Sequence, residues 1–244
     1  MSNKVDFADY RRMANFLYQV HHGHIVVNIE GRPYLLDTGA PFSVGYEPIV
    51  IAGREFPVES SYMGVTGSYL TEHIGLTIEG MIGADILQHF NIGIYANERM
   101  VQFGMQHPVG DIVIPLHEHM GVPIVSVKVG DRVRRMFLDT GAPMSYLLPE
   151  FLDCELPEGR HEDFYPLLGN FLTNVYTLDV AIGGMRYPMK FGSLPEELAP
   201  LLDAGNVQGI LGTELLRHFA LNLSMRDKVL CMELPHSMVD LAAG

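Results

Sequence analysis

The sequence predicts a mostly β protein of two homologous lobes related by a pseudo-two-fold axis, with a few short helices. Three observations carry that prediction. The stretch LLDTGAPFS at residues 35–43 returns as FLDTGAPMS at residues 137–145, 102 positions later. MIGADILQHF from Met81 matches ILGTELLRHF from Ile210, where the offset has grown to 129. The chain also spreads 25 Gly and 15 Pro among few long helical patterns, which suits short strands joined by tight turns. A period near one hundred is too long for a solenoid, so two small domains related by duplication are expected, packed about a pseudo-dyad.

Taken in order, residues 1–22 form an N-terminal segment with two open readings. Phe7, Tyr10, Ala14 and Leu17 fall at roughly helical spacing behind a candidate cap at Asp6, yet the stretch equally suits a strand joining the lobes. The first lobe spans residues 23–104. It begins with IVVNI, a turn at Glu30 and Gly31, and YLLD, a hairpin that delivers Asp37 onto a Thr-Gly turn. The second lobe, residues 122–244, repeats that plan with IVSVKV, a turn at Gly130 and Asp131, and MFLD, ending in Asp139.

GSYLTEHIGLTI from Gly67 aligns with GNFLTNVYTLDV from Gly169 at the same offset of 102, so a common register is expected there. The later growth of the offset places a gain of 27 residues within residues 183–208. There SLPEELAPLL reads as a short helix that starts near Pro195 and is interrupted by Pro200, a cover or rim element. Each lobe closes with a short amphipathic helix, ADILQHF or TELLRHF, and a strand pair, NIGIYANERMVQF or ALNLSMRDKVLCM. Residues 105–121 are the interlobe linker, with turn residues around a short strand, IVIPL.

Composition narrows the function classes. Lys and Arg total 16 against 29 Asp and Glu, a formal charge of -13, which argues against nucleic acid or an anionic membrane as partner. No segment is long and apolar enough to span a bilayer, and the N-terminus lacks the basic-then-apolar order of a secretory signal, so a cytoplasmic location is expected. Cys154 and Cys231 are too few for a disulfide framework and read as reduced structural thiols.

The two DTGA loops, each followed by a glycine-containing hairpin and an apolar-Gly-x-x-x-Leu block in the same order, resemble the aspartic peptidases. Both the single-chain pepsin-like and the homodimeric retroviral types share these parts, and the likeness runs from about Ile25 to Met232. The resemblance implies an acid-protease fold in which Asp37 and Asp139 are the catalytic pair and one chain suffices for the active site. Two carboxyl groups in contact share a proton, so the pair holds an acid and a base and needs no metal or other cofactor. Thr38 and Thr140 are implied to exchange hydrogen bonds beneath the pair, with Gly39 and Gly141 allowing close backbone approach. Ala40 and Ala142 stand where many pepsin-like enzymes carry a hydroxyl residue, which implies a less acidic pH optimum than pepsin's.

The segment YMGVTGSY, residues 62–69, is the candidate flap over a bound peptide. Tyr62 and Thr66 would face substrate, with Gly64 and Gly67 permitting the hairpin turn. YPLLGNF from Tyr165, with Leu168 and Gly169, forms a candidate second flap over the same cleft. The implied function is endopeptidase action on a peptide or protein substrate; the alternative is a peptide-binding or regulatory module of the same fold with little turnover. His21, His22 and His24, with His117 and His119 around Glu118, suggest a metal site, but no third ligand follows at a recognisable spacing and they read as solvated surface residues. His89 and His218 recur at matching positions and are expected to serve the fold.

Overall fold

The computed structural model describes residues 13–104, 106–152, 155–165 and 168–234. Twenty strands and a few short helices fill them. The proposed helix around Phe7 and Tyr10, Cys154, and the Pro166 end of the second flap lie outside the described residues. From Ala14 the N-terminal segment is strand β1 (Ala14–His21), which pairs antiparallel with β2 (His24–Ile29) inside the first lobe. Ala14 and Leu17, which suited a helix, instead fall on opposite faces of a partly buried strand.

In the first lobe, β2 turns through Glu30 and Gly31, both with positive φ, into β3 (Arg32–Leu36). β3 ends directly at Asp37. β4 (Val44–Gly45) and a two-stranded unit of β5 (Ile49–Ile51) and β6 (Arg54–Phe56) follow. Helix α1 (Gly67–Ile74) then leads to β7 (Gly80–Ile82) and α2 (Ala84–Leu87), and β8 (Asn91–Tyr95) pairs with β9 (Met100–Gly104) to close the lobe. β3 runs parallel to β7, and β7 is antiparallel to β4. The carboxylate-bearing loop therefore leaves the sheet between two strands that pin it on either side.

The linker contributes β10 (Ile112–Pro115) and β11 (His117–His119). The second lobe repeats the pinned-loop plan with β12 (Val122–Val129), β13 (Arg132–Leu138) and β14 (Ser145–Leu147). β15 (Gly159–Tyr165) and β16 (Gly169–Ile182) form a long hairpin, and β17 (Met185–Ser193) pairs with β16. After α3 (Ala199–Gly205) come β18 (Gly209–Leu211), a 3-10 turn at Thr213–Arg217, β19 (Ala220–Ser224) and β20 (Val229–Glu233). β13 is parallel to β18 and β14 antiparallel to it, as β3, β7 and β4 are in the first lobe.

The lobes join through their closing pairs. β8 and β19 are antiparallel, with Gly93 opposite Asn222, residues 129 positions apart like the two apolar-Gly blocks. The pseudo-dyad thus passes between them. One ten-stranded sheet runs from β4 through β1, β9, β8, β19 and β20 to β10. A shared core includes Phe103, Ile92 and Leu36 from the first lobe and Phe191, Leu211 and Phe219 from the second. Each such side chain contributes about 1.5–3 kcal/mol through burial.

Two expectations need correction. The 102-residue register does not extend to the stretches at Gly67 and Gly169, because the first is helix α1 and the second is strand β16. Thr66 caps α1 by accepting from the Tyr69 N–H at 3.1 Å, and Gly75 ends it in the left-handed region at φ 75°. β16 instead pairs with β15 through Gly169–Val175 and with β17 through Val175–Ile182, and it carries Val175, Tyr176, Thr177 and Val180. Pro200 also does not interrupt the inserted helix; it lies in the first turn of α3, where a missing N–H costs no hydrogen bond.

Candidate active site

Each DTGA loop is held by its own lobe in the same way. Asp37 N–H donates to Ile82 O at 3.0 Å and Ala84 N–H to Ala40 O at 2.8 Å; Asp139 N–H donates to Leu211 O at 3.0 Å and Thr213 N–H to Ala142 O at 2.9 Å. Gly83 and Gly212 let these strands pass beneath the loops, since a Cβ on Gly83 would meet Phe42 and Ala40 backbone, and one on Gly212 the Ala142 and Met144 carbonyls. Ser43 and Ser145 hydroxyls accept from the Gly83 and Gly212 N–H groups at 2.8 and 3.1 Å. The apolar-Gly blocks legible in the sequence are therefore the floors of the two loops.

Across the pseudo-dyad the loops are tied by four hydrogen bonds between buried groups. Thr38 N–H donates to Thr140 Oγ1 at 3.0 Å and Thr140 N–H to Thr38 Oγ1 at 2.9 Å. The two hydroxyls donate in turn to Leu138 O at 2.7 Å and Leu36 O at 2.8 Å. Each threonine both gives and receives, so neither lobe can shift without orphaning a buried group.

Above this lattice the Asp37 and Asp139 side chains lie within hydrogen-bonding reach of each other. Asp37 Oδ1 accepts from the Gly39 and Ala40 N–H groups, both at 2.9 Å, and Asp139 Oδ1 accepts from Gly141 N–H at 2.8 Å. A Cβ on Gly141 would lie 2.5 Å from Asp37 Cγ, and one on Gly39 would overlap the Asp139 carboxyl. Only glycine admits this approach. Burial raises the carboxyl of Asp37 well above the usual carboxylate range, with the Asp139 charge adding to it, and burial also raises Asp139. Loop N–H groups oppose both shifts, and the proton on the pair belongs to the two side chains together.

A cleft of about 320 Å³ opens over the pair. Leu35, Val65, Leu70, Ile74 and Met81 line its first-lobe side, and Phe137, Phe171, Leu194, Leu198, Leu202 and Ile210 its second-lobe side. Leu194, Leu198 and Leu202 belong to the inserted segment, which forms a wall as a rim element should.

The two candidate flap segments differ. In the first lobe Tyr62 and Val65 bridge across a tight turn at Met63 and Gly64, whose φ values are 50° and 85°. Tyr62 lines the cleft and packs on Phe42, with ring centroids 5.1 Å apart. Thr66 and Gly67 are not part of that turn: Thr66 is the α1 cap, and Gly67 lies where a Cβ would strike Glu79 backbone. The second-lobe candidate is the long β15–β16 hairpin, in which Tyr165 pairs with Gly169 and Leu168 N–H donates to Tyr165 O at 2.9 Å. Tyr165 lines the cleft, and burial, then the charges of Asp139 and Asp37, raise its hydroxyl above the usual tyrosine range. Phe164 stacks on His73 of α1 at 4.1 Å and packs on Tyr69 at 5.5 Å, so the hairpin touches the first lobe across the cleft.

His24 is a site residue the sequence did not reveal. Read as a surface histidine, it is partly buried in the cleft, with Nδ1 3.0 Å from Gly141 O. Because a carbonyl only accepts, Nδ1 carries the proton. The same β1–β2 turn sets Gly23 against Pro143 and offers Gly23 O to Thr213 Oγ1 at 2.9 Å, clasping the Asp139 loop from the first lobe. Among the described residues no three His, Cys, Asp or Glu side chains are grouped to hold a metal ion. His89 and His218 pack on Phe56 and Tyr187 at 5.4 and 5.0 Å, consistent with a role in the fold.

No protein-family model matches the chain, and no curated protein matches it. Solved structures do. An aspartic proteinase from Irpex lacteus aligns at TM-score 0.52 and 11% identity, covering 92% of this chain and 98% of its own. Basic 7S globulin from soybean aligns at TM-score 0.50 and 10% identity, covering 90% and 94%. A retropepsin-like aspartic protease from Rickettsia conorii aligns over 51% of this chain and 91% of its own, at TM-score 0.37 and 19% identity. The fold is therefore the bilobal one of the aspartic proteinases. At such identities the likeness speaks to fold alone, and the globulin and the proteinase share it.

Proposed function

We propose that the chain is an aspartic-type endopeptidase that hydrolyses peptide bonds with water activated between Asp37 and Asp139. The observation that carries this reading is the pair itself: two carboxyl groups from two copies of one loop, in mutual contact, partly buried and both raised in pKa. Such a pair retains one proton to higher pH than a free carboxyl and so presents an acid and a base side by side.

In the proposed reaction the ionised carboxylate takes a proton from water as its oxygen attacks the carbonyl carbon. The protonated partner gives its proton to the carbonyl oxygen, which forms a neutral diol. Collapse of the diol, with a proton passed to the amide nitrogen, breaks the C–N bond and releases acid and amine. The Thr38 and Thr140 lattice keeps the geometry fixed, so little reorganisation is needed at the moment of reaction. The cleft walls suit an extended, largely apolar peptide segment, and the β15–β16 hairpin offers it backbone partners.

Incubation of wild type and Asp37→Asn with a diverse peptide mixture from pH 4 to 8 tests the reading. Cleavage by wild type that disappears in the variant and persists with a chelator supports it. Binding without cleavage by wild type replaces it with the peptide-binding alternative, and cleavage lost only with chelator points to a metal-dependent reaction.

A further inference from the structure

The cleft contains a carboxylate that the proposed reaction does not use. Asp163 lies two residues before Tyr165 on β15, so strand alternation turns both side chains to the same face, and both line the cleft. Its Oδ2 accepts from the Tyr146 hydroxyl and its Oδ1 from the Phe164 N–H at 2.8 Å, while Phe171 stands opposite on β16. These contacts fix the carboxylate in place.

No cationic side chain among the described residues answers it. None of their ion pairs includes Asp163, and no Lys or Arg among them lines the cleft. The basic group it does sense is His24, whose ring burial holds below the ordinary histidine range, leaving it neutral near pH 7. A peptide filling the cleft displaces the water around Asp163. An apolar side chain placed there strands a carboxylate without water or counter-charge, whereas a cationic one compensates it, so the group selects by penalty as well as by attraction.

We propose that Asp163 is a specificity residue that receives a cationic nitrogen of the bound peptide, from a Lys or Arg side chain or from a free N-terminus. The proposal rests on the reading of the cleft as a peptide site but not on turnover, so it is tested by binding. Calorimetry on the full-length Asp37→Asn protein would use N-acetylated apolar hexapeptides in which one lysine is walked along the chain. Each is paired with a norleucine peptide of the same length, and one apolar peptide is left unacetylated.

At one register, or for the free N-terminus, the cationic peptide is expected to bind on the order of tenfold tighter than its neutral pair. A second substitution, Asp163→Asn, keeps an acceptor for Tyr146 and should bring that ratio to about one while the neutral peptide binds at least as well. The register that discriminates tells side chain from terminus. Binding with no discrimination, or discrimination that survives Asp163→Asn, overturns this proposal alone. Failure of every peptide to bind overturns the peptide-site reading together with it.

Discussion

Replacing Thr38 with Ala removes one hydroxyl that both donates to Leu138 O at 2.7 Å and accepts from Thr140 N–H at 2.9 Å. Both partners lie in a buried environment, with Thr38 itself 1% exposed, so water cannot readily take the place of the lost group. An orphaned buried backbone group costs about 1–3 kcal/mol, so two of them predict a loss of roughly 3–4 kcal/mol. In a domain of this size that corresponds to a fall in Tm of about 6–16 °C. Because the chain contains no Trp, unfolding is best followed by far-UV circular dichroism in urea and on heating. Thr38→Ser keeps the oxygen and should lose less than about 1 kcal/mol. Thr38→Val keeps the shape without the hydrogen bonds and should resemble Ala. If Val and Ala both stay within about 0.5 kcal/mol of wild type, the interlobe lattice is not what fixes the loops.

Three further outcomes follow from the same geometry. Gly141→Ala puts a methyl against Asp37 and should reduce peptide cleavage by about 10²-fold or more, measured as kcat/KM, since displacements of 1 Å cost that much; activity near wild type would contradict the close approach. Both dyad pKa values are raised on folding, so their contribution to stability is complete below the unfolded value of about 3.9 and is lost as pH rises through the folded values. Urea midpoints of Asp37→Asn should accordingly fall less than those of wild type as pH is raised above 4, and parallel curves would refute the shift. His24→Leu removes the donor to Gly141 O and should lower kcat about tenfold with little change in KM, whereas His24→Asn should restore much of it by presenting an N–H near the same place; equal loss in both variants would leave the ring as packing only.

What the sequence disclosed and what it hid divide along physical lines. The Asp37 and Asp139 loops were legible because all their signals are local: an apolar run, an Asp, then Thr and Gly, written twice. The floors at Gly83 and Gly212 were legible for the same reason. The flap was misread at Thr66 and Gly67 because a glycine after a polar residue suits a hairpin turn as well as a helix start. What decides is tertiary: Glu79 backbone lies against Gly67, and β16 finds strand partners that α1 lacks. His24 could not be found, since its partner Gly141 is 117 residues away and the second lobe has Val122 at the equivalent strand position. Asp163 was hidden likewise by dependence on Tyr146, which only folding brings beneath it.

The central claim is that Asp37 and Asp139 act as one unit. Peptide cleavage by Asp37→Asn, Asp139→Asn and the double variant tests it most directly, under conditions where wild type cleaves. Residues that share one proton and one water are non-additive, so each single variant should be nearly as inactive as the double, within about tenfold. Losses that multiply, or a single variant that keeps most of the wild-type rate, would contradict the account.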